Sequence, residues 1–349
     1  MESVMLKIVA ECSSKQTALR DVAQQAHDML VSQQLNPLNE MHELRDKCLT
    51  ALEQSLDTKN TRLVQCGLDG LHLLLRDNQL HSLEGCVESP EQTLPMQVLH
   101  TLSCLPDWSQ EPDTQCHCLT IILQILCSSS WIILSQTVIT AIELCLSTFC
   151  AARQISVRMA ARATVSQILD SYCTGLYKEQ AEDAAEDDYR KVFDEVTKLV
   201  SFCTQKLTVM TSSTDQSPGL LLIADALYTV LSIQSAAIRR HEPFLNLLWQ
   251  DLCPTVISLL GTPHVDSSPR AQSSPTHSVG RGKSAVAGDQ PIFGSPEVAK
   301  CVYMSCGELL RLLGPLPSMR SVLEALFHRV FLFPPVEKRL EALRAFRKV

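Results

Sequence analysis

The stretch LRDKCLTALEQSLDTKNTRLVQCGLDGLHLLL, residues 44–75, decides the fold class. Its first half places apolar side chains at i, i+4, i+5, i+8 and i+12, the spacing of one helix face. A second helical stripe follows within 60–77, and only the short segment 57–60 separates the two. They therefore predict an antiparallel helix hairpin. The apolar residues are Leu44, Cys48, Leu49, Leu52 and Leu56 in the first stripe, and Val64, Leu68, Leu71 and Leu75 in the second.

Two glycines interrupt the second helix of this hairpin. Gly67 and Gly70 each cost about 1 kcal/mol relative to alanine inside a helix. We expect close approach of a neighbouring helix to compensate for that cost. Asn39, ahead of the first stripe, is a candidate N-cap.

Helical stripes of this kind recur along most of the chain. Successive hairpins of about 35–45 residues cannot each bury their own apolar faces, which is typical of an armadillo- or HEAT-like stack. The fold class is therefore all-α, a helical solenoid of antiparallel helix hairpins, and irregular repeat lengths leave a compact helical domain as the alternative. The further helices are predicted at 96–105, 115–127, 135–150, 157–172, 189–203, 219–234, 243–260, 296–313, 318–331 and from 335 onward.

Composition agrees with helical packing in a reducing compartment. The chain is 45% hydrophobic, 5% aromatic and 19% charged, with only 12 glycines. Its net charge of −8 provides no basic surplus for phosphates, which argues against nucleic acid as the main partner. The 15 cysteines lie scattered along helices without a secretory signal, so we interpret them as small core residues of a cytoplasmic protein.

One segment is long enough to raise the possibility of a membrane span. From Thr114 to Ile142 there is no acidic residue, lysine or arginine, and a bilayer needs about 20 apolar residues. Polar residues interrupt it, and the serines at 128–130 resemble a turn. Two buried helices, 115–127 and 135–150, are the favoured interpretation, and a membrane span is the alternative.

Composition also divides the chain into domains. We predict an N-terminal helical domain at 1–178 and continuing repeats at 184–260. Residues 261–295 are rich in Ser, Pro and Gly and predict a disordered insertion. A further helical domain begins at 296–349, and its last helix has no stop signal, so we expect a longer protein. Ser-Pro pairs make Ser268, Ser274 and Ser295 candidate phosphorylation sites.

No pattern in the chain predicts catalysis or a cofactor. Gly280–Ser284 resembles part of a phosphate-binding loop but lacks the first glycine, because position 277 is His277. Cys116, His117 and Cys118 have no second ligand pair at zinc spacing, so we interpret them as core residues. The sequence thus predicts no cofactor, no metal and no enzyme activity in this segment. Arg153, Arg158 and Arg162 are either an exposed face or a basic patch for an acidic partner or lipid headgroups.

Two parts of the chain resemble a known family. They are 44–75, described above, and TAIELCLSTF at 140–149 continuing to AARATVSQIL at 160–169. Both resemble the N-terminal dimerisation and cyclophilin-binding domain of the large brefeldin A-inhibited Arf guanine-nucleotide exchange factors, with most likeness to a divergent member. The likeness is clear over about 44–169, weak to about 260 and absent in 261–295. LEALFHRVFLFPP, from Leu323, resembles later helical parts of these proteins.

This resemblance implies a regulatory role without catalysis. In that family exchange activity belongs to a separate downstream domain, and the divergent member is thought to lack ordinary exchange competence. We expect self-association, most simply as a homodimer, docking on neighbouring helical domains of the same protein, and peripheral recruitment to Golgi or secretory vesicle membranes. The candidate interaction residues are Lys59, Asn60, Arg62, Arg158, Arg162, Thr164, Ser166 and Gln167. The alternative is an unrelated armadillo- or HEAT-type adaptor for peptides or vesicle-coat proteins.

Overall fold

The chain forms two compact units, residues 1–176 and 177–349, in the computed structural model. We describe each unit by itself. The residues that the structure describes are 1–35, 41–76, 93–105, 111–128, 131–178, 186–212, 218–260, 296–317, 320–332, 339–340, 342–344 and 347. Within them every regular element is a helix, so the predicted all-α class is confirmed.

The first unit is a series of helices that pack on their near neighbours in the chain. Helix α3 contacts α2, α4 and α5, while α4 also contacts α1 and α6. Contacts between helices one to three places apart in the chain are typical of a helical solenoid. The helices are α1 Glu2–Glu11, α2 Thr17–Leu35, α3 Met41–Leu56, α4 Thr61–Leu74, α5 Leu94–Ser103, α6 Pro112–Leu126, α7 Ser135–Ala151 and α8 Ile155–Lys178.

The hairpin of α3 and α4 confirms the two apolar stripes. Every residue of both stripes is buried, and each buried leucine contributes roughly 1.5–3 kcal/mol. Both glycines lie against side chains of α3. A Cβ at Gly67 would lie 2.8 Å from Leu56 Cδ2, and one at Gly70 would collide with Leu52 and lie 3.2 Å from Val4 Cγ1. The expected close approach is therefore confirmed.

The apolar segment 114–142 forms parts of two helices. Helices α6 and α7 pack against each other and bury most of its apolar side chains. Among the described residues, no helix combines the length and the hydropathy that a bilayer-spanning segment needs. The prediction of two buried helices is confirmed in type and nearly in position.

The second unit also consists of packed helices. Helix α10 lies between α9 and α13, and α12 contacts α9, α13 and α14. Its elements are α9 Glu186–Ser212, α10 Gly219–Ile233, a 3-10 helix Ala236–Arg240, α11 Glu242–Leu247, a π-helical turn Leu248–Leu252, α12 Cys253–Leu259, α13 Pro296–Leu313 and α14 Arg320–Leu332.

The single helix predicted at 243–260 is wrong in detail, because a π-helical turn interrupts it. The backbone N–H of Cys253 donates to the carbonyl of Leu248, five residues earlier. Pro254 explains the break, since it has no N–H for the carbonyl of Gln250 and its ring crowds that carbonyl. The turn leaves Trp249 46% exposed.

Two arginines join α10 and α13 at their C-terminal ends. From α13, Arg311 donates to the carbonyls of Leu231 and Gln234, each at 3.0 Å. From the 3-10 helix after α10, Arg239 donates to the carbonyls of Arg311 and Leu312 at 2.7 and 2.5 Å. Arg311 thus donates to carbonyls at the end of α10 and Arg239 to carbonyls at the end of α13, where a helix runs short of backbone donors.

Several sequence predictions fall outside the described residues. They are the N-cap at Asn39, the insertion at 261–295 and the phosphate-loop fragment at Gly280–Ser284. The four-part domain division stays a prediction, although α13 packs on α10 within the second unit. Most described cysteines are buried, as expected. Burial raises the pKa of Cys118 and Cys145 to about 12.

Candidate interaction surface

The turn between α3 and α4 carries three of the predicted interaction residues. Asn60 is the N-cap of α4, and its side-chain oxygen accepts from the backbone N–H of Arg62 at 3.1 Å. Arg62 Nη1 lies 3.5 Å from Glu11 Oε2, with 77% of its side chain exposed. Lys59 is exposed. Asn60 thus has a structural role as a helix cap, while the two cations face solvent.

The start of α8 carries Arg158, which the structure engages in packing. Its Nε donates to the carbonyl of Ala152 at 2.9 Å, and its guanidinium carbon lies 6.0 Å from the ring centre of Phe149. Ala152 is the C-cap of α7. Arg158 therefore caps the end of α7, and its charge is only partly available to a partner.

The remaining predicted residues on α8 do not share one exposed face. Thr164 is buried, Arg162 and Ser166 are half-buried, and Gln167 is exposed. Thr164 therefore packs inside the first unit, beside the buried stripe of α8 that runs from Val157 to Tyr172. The resemblance to a family identified this segment, but it did not separate packing residues from surface residues.

Two exposed apolar residues on α8 were missed by the sequence analysis. Ile155 is 77% exposed and Met159 is 57% exposed. The two residues are one helical turn apart, and Arg158 lies between them in the sequence. We call Ile155, Arg158 and Met159 the α8 entrance surface. The signal was present, because both apolar residues lie off the stripe that starts at Val157. Methionine and arginine are both enriched at protein interfaces relative to the rest of the surface.

The Cys-His-Cys sequence on α6 is divided between core and surface. Cys118 is fully buried, as predicted, whereas Cys116 is exposed, so the core interpretation is wrong for that residue. Gln65 Nε2 on α4 lies 3.2 Å from His117 Nδ1. Burial, the largest effect, lowers the pKa of His117 below its usual value.

The predicted phosphorylation sites at Ser268, Ser274 and Ser295 lie outside the described residues. They therefore stay predictions.

Comparison with known proteins places the first unit in a family. Residues 1–180, just over half of the chain, match the Mon2/Sec7/BIG1-like dimerisation and cyclophilin-binding domain. The chain belongs to this family, and the resemblance recognised in the sequence is confirmed.

The relatives extend the likeness to the whole chain. It is 29% identical over 379 residues to brefeldin A-inhibited guanine nucleotide-exchange protein 3 of Homo sapiens, and 29% identical over 376 residues to the protein of that name in Mus musculus. Each alignment covers 100% of this chain and 17% of the relative. The chain therefore spans about one sixth of the length of these curated relatives.

Proposed function

We propose that this chain is a non-catalytic regulatory scaffold of a large Arf-exchange-factor-like protein in secretory trafficking. The observation that carries the proposal is the match of 1–180 to a domain described as dimerising and cyclophilin-binding. On this proposal the chain forms homodimers and docks on neighbouring helical domains of the same protein. Any exchange activity belongs to a downstream domain, in keeping with the 17% coverage of the relatives. Family membership removes the alternative of an unrelated adaptor.

The α8 entrance surface is our proposed contact between two copies. Ile155 and Met159 expose apolar area that a partner would remove from water, at about 25 cal/mol per Å². Arg158 holds the start of α8 against the end of α7, so the two apolar side chains are presented from an ordered helix. Gln167 and Arg162, further along α8, would lie towards the rim of such a contact.

Sedimentation velocity of the whole 349-residue chain tests both parts of this proposal. We expect dimers at tens of micromolar, and at least about tenfold weaker association in an Ile155→Ser, Met159→Ser double variant. Val209→Ser is the matched control, because Val209 is 66% exposed but belongs to the second unit. A strictly monomeric unsubstituted chain would contradict self-association. A double variant that dimerises as tightly as the unsubstituted chain would contradict only the contact surface.

Membrane recruitment is a further part of the proposed function. We place the chain in the cytoplasm, peripherally associated with Golgi or secretory vesicle membranes. Lys59 and Arg62 are the exposed cations that would attract anionic headgroups. The net charge of −8 would confine such attraction to this local patch.

Flotation with vesicles containing phosphatidylserine measures this recruitment. We expect Lys59→Glu with Arg62→Glu to abolish binding of the whole chain at low salt. Arg76→Glu is the control, because Arg76 is exposed at the other end of α4. Binding that survives the double charge reversal, or that is equal with neutral vesicles, would contradict the electrostatic contact.

Phosphorylation of Ser268, Ser274 and Ser295 is the proposed regulation. Each serine precedes a proline, the pattern that proline-directed kinases modify. Mass spectrometry after incubation with such a kinase should find phosphate on these serines and none on the matching alanine variants. Complete absence of phosphate at all three positions would contradict this part.

A further inference from the structure

Helices α3 and α5 bring three metal-binding residue types together. Glu53 lies on α3, while His100 on α5 and Cys104 at its C-cap are one helical turn apart. One ligand atom from each, the Glu53 carboxylate oxygen, a His100 ring nitrogen and Cys104 Sγ, lies within 4.8 Å of the others. These positions are far apart in sequence, and the packing of α3 on α5 makes the cluster.

The cluster is close to the geometry of a preformed site. Residues at i and i+4 face the same side of a helix, which aligns the side chains of His100 and Cys104. Cys104 Sγ donates to Glu53 Oε1 at 3.4 Å, and ligand atoms of a tetrahedral zinc ion lie at a similar separation, given bonds of about 2.0–2.3 Å. The three ligand atoms thus lie near the separations that one shared ion requires.

A bound cation must displace the proton of the Cys104 thiol. Burial, then the hydrogen bond and negative charge of Glu53, raise the pKa of the Cys104 thiol. The negative charge of Asp57, the residue that follows the end of α3, adds to that effect. A divalent cation reverses this balance, because it is attracted by the carboxylates and favours the thiolate.

We propose that Glu53, His100 and Cys104 bind one Zn²⁺ ion. Thiolate, imidazole and carboxylate are the ligands that zinc accepts together, whereas Mg²⁺ and Ca²⁺ prefer oxygen alone. Binding exchanges the thiol proton for the metal: the S–H bond breaks, a Zn–S bond forms and one proton passes to solvent. Because His100 is exposed, the fourth position faces water.

The ion would link α3 to α5 near the turn of the α3–α4 hairpin. No metal site was predicted from the sequence, because Glu53 is far from His100 and Cys104 in the chain. The signal was a His and a Cys four residues apart on a predicted helix. The proposal does not depend on self-association or on membrane recruitment.

Zinc titration of the whole reduced chain against a chromophoric chelator tests the site. We expect one equivalent of Zn²⁺ to bind, with release of a proton, and at least about tenfold weaker binding after His100→Ala, Cys104→Ser or Glu53→Gln. Cys116→Ser is the matched control, because Cys116 is an exposed cysteine outside the cluster. Saturating Zn²⁺ should also raise the Tm of the unsubstituted chain, whereas Mg²⁺ should leave it unchanged.

Co²⁺ provides a direct spectroscopic readout of the ligands. Its thiolate charge-transfer band in the near ultraviolet should appear in the unsubstituted chain and disappear in Cys104→Ser, while Cys116→Ser keeps it. His100 is exposed, so His100→Ala is not expected to disturb folding, and circular dichroism verifies this. Zinc affinity unchanged by His100→Ala and Cys104→Ser, or lost instead in Cys116→Ser, would overturn the proposal.

Discussion

The α3–α4 pair in the first unit and the α10–α13 pair in the second are held together in different ways. In the first pair, leucines interlock and Gly67 and Gly70 let the helices approach closely. In the second pair, Arg239 and Arg311 bind carbonyls at the helix ends. The α3–α4 pair therefore depends on the fit of side chains along its length, whereas the α10–α13 pair also depends on polar groups at one end.

A side chain added at Gly70 should have the largest effect on the free energy of unfolding. Gly70→Leu forces a side chain into the space of Leu52, and we expect about 3 kcal/mol of destabilisation, the upper range for overpacking. Urea unfolding measures it, with hydrogen exchange at 41–76 to locate it. Gly175→Ala is the control, since nothing lies within 4 Å of a Cβ there, and it should be neutral or stabilising. Equal stability of Gly70→Leu would show that shape does not hold this pair.

Removal of the arginine from α13 should have a smaller but clear effect. Arg311→Met removes the side-chain donor to the carbonyls of Leu231 and Gln234 and the ion-pair partner of Glu308, so we expect about 2 kcal/mol of destabilisation. Faster amide exchange at 219–233 is the measurement. Arg240→Met, at an exposed neighbouring position, is the control. An unchanged exchange rate would mean that the apolar contacts of α10 and α13 suffice without the arginine.

Loss of the N-cap of α4 should have the smallest effect. Asn60→Ala removes the acceptor for the N–H of Arg62, and we expect about 1 kcal/mol of destabilisation. Asn60→Asp should retain most of the stability, because aspartate is an equally good cap. Urea unfolding of both variants checks the prediction. If the alanine and aspartate variants are equally stable, the turn does not contribute to the hairpin through its cap.

The same contrast explains what the sequence could predict. The apolar residues from Leu44 to Leu56 show the helical period within one short segment. A glycine inside a helix lowers stability, so its presence indicates close packing of a neighbouring helix. For that reason the hairpins, the α6–α7 pair and the close approach at Gly67 followed from the sequence. The family followed from short polar segments such as Lys59-Asn60, although Thr164 shows that such segments mix surface and core.

The remaining features depend on contacts between residues far apart in the chain. Nothing near Arg311 indicates that its partners are carbonyls of residues about 80 positions earlier. The cluster of Glu53, His100 and Cys104 likewise exists only after α5 packs on α3. Pro254 indicates locally that the helix is disturbed. It does not indicate whether the disturbance is a π-helical turn or a kink. Local pattern therefore predicted the elements and most neighbours, while polar contacts needed the structure.

The buried cysteines have a practical consequence for labelling experiments. A thiol with a pKa of about 12, as for Cys118 and Cys145, holds on the order of one thiolate in 10⁵ at pH 7. Maleimide dyes and nitroxide probes react with thiolates, so they should modify Cys116 on the surface long before either core residue. Among the described cysteines, a brief treatment of the native chain would thus label the exposed Cys116, Cys127 and Cys150 and leave Cys118 and Cys145 unmodified.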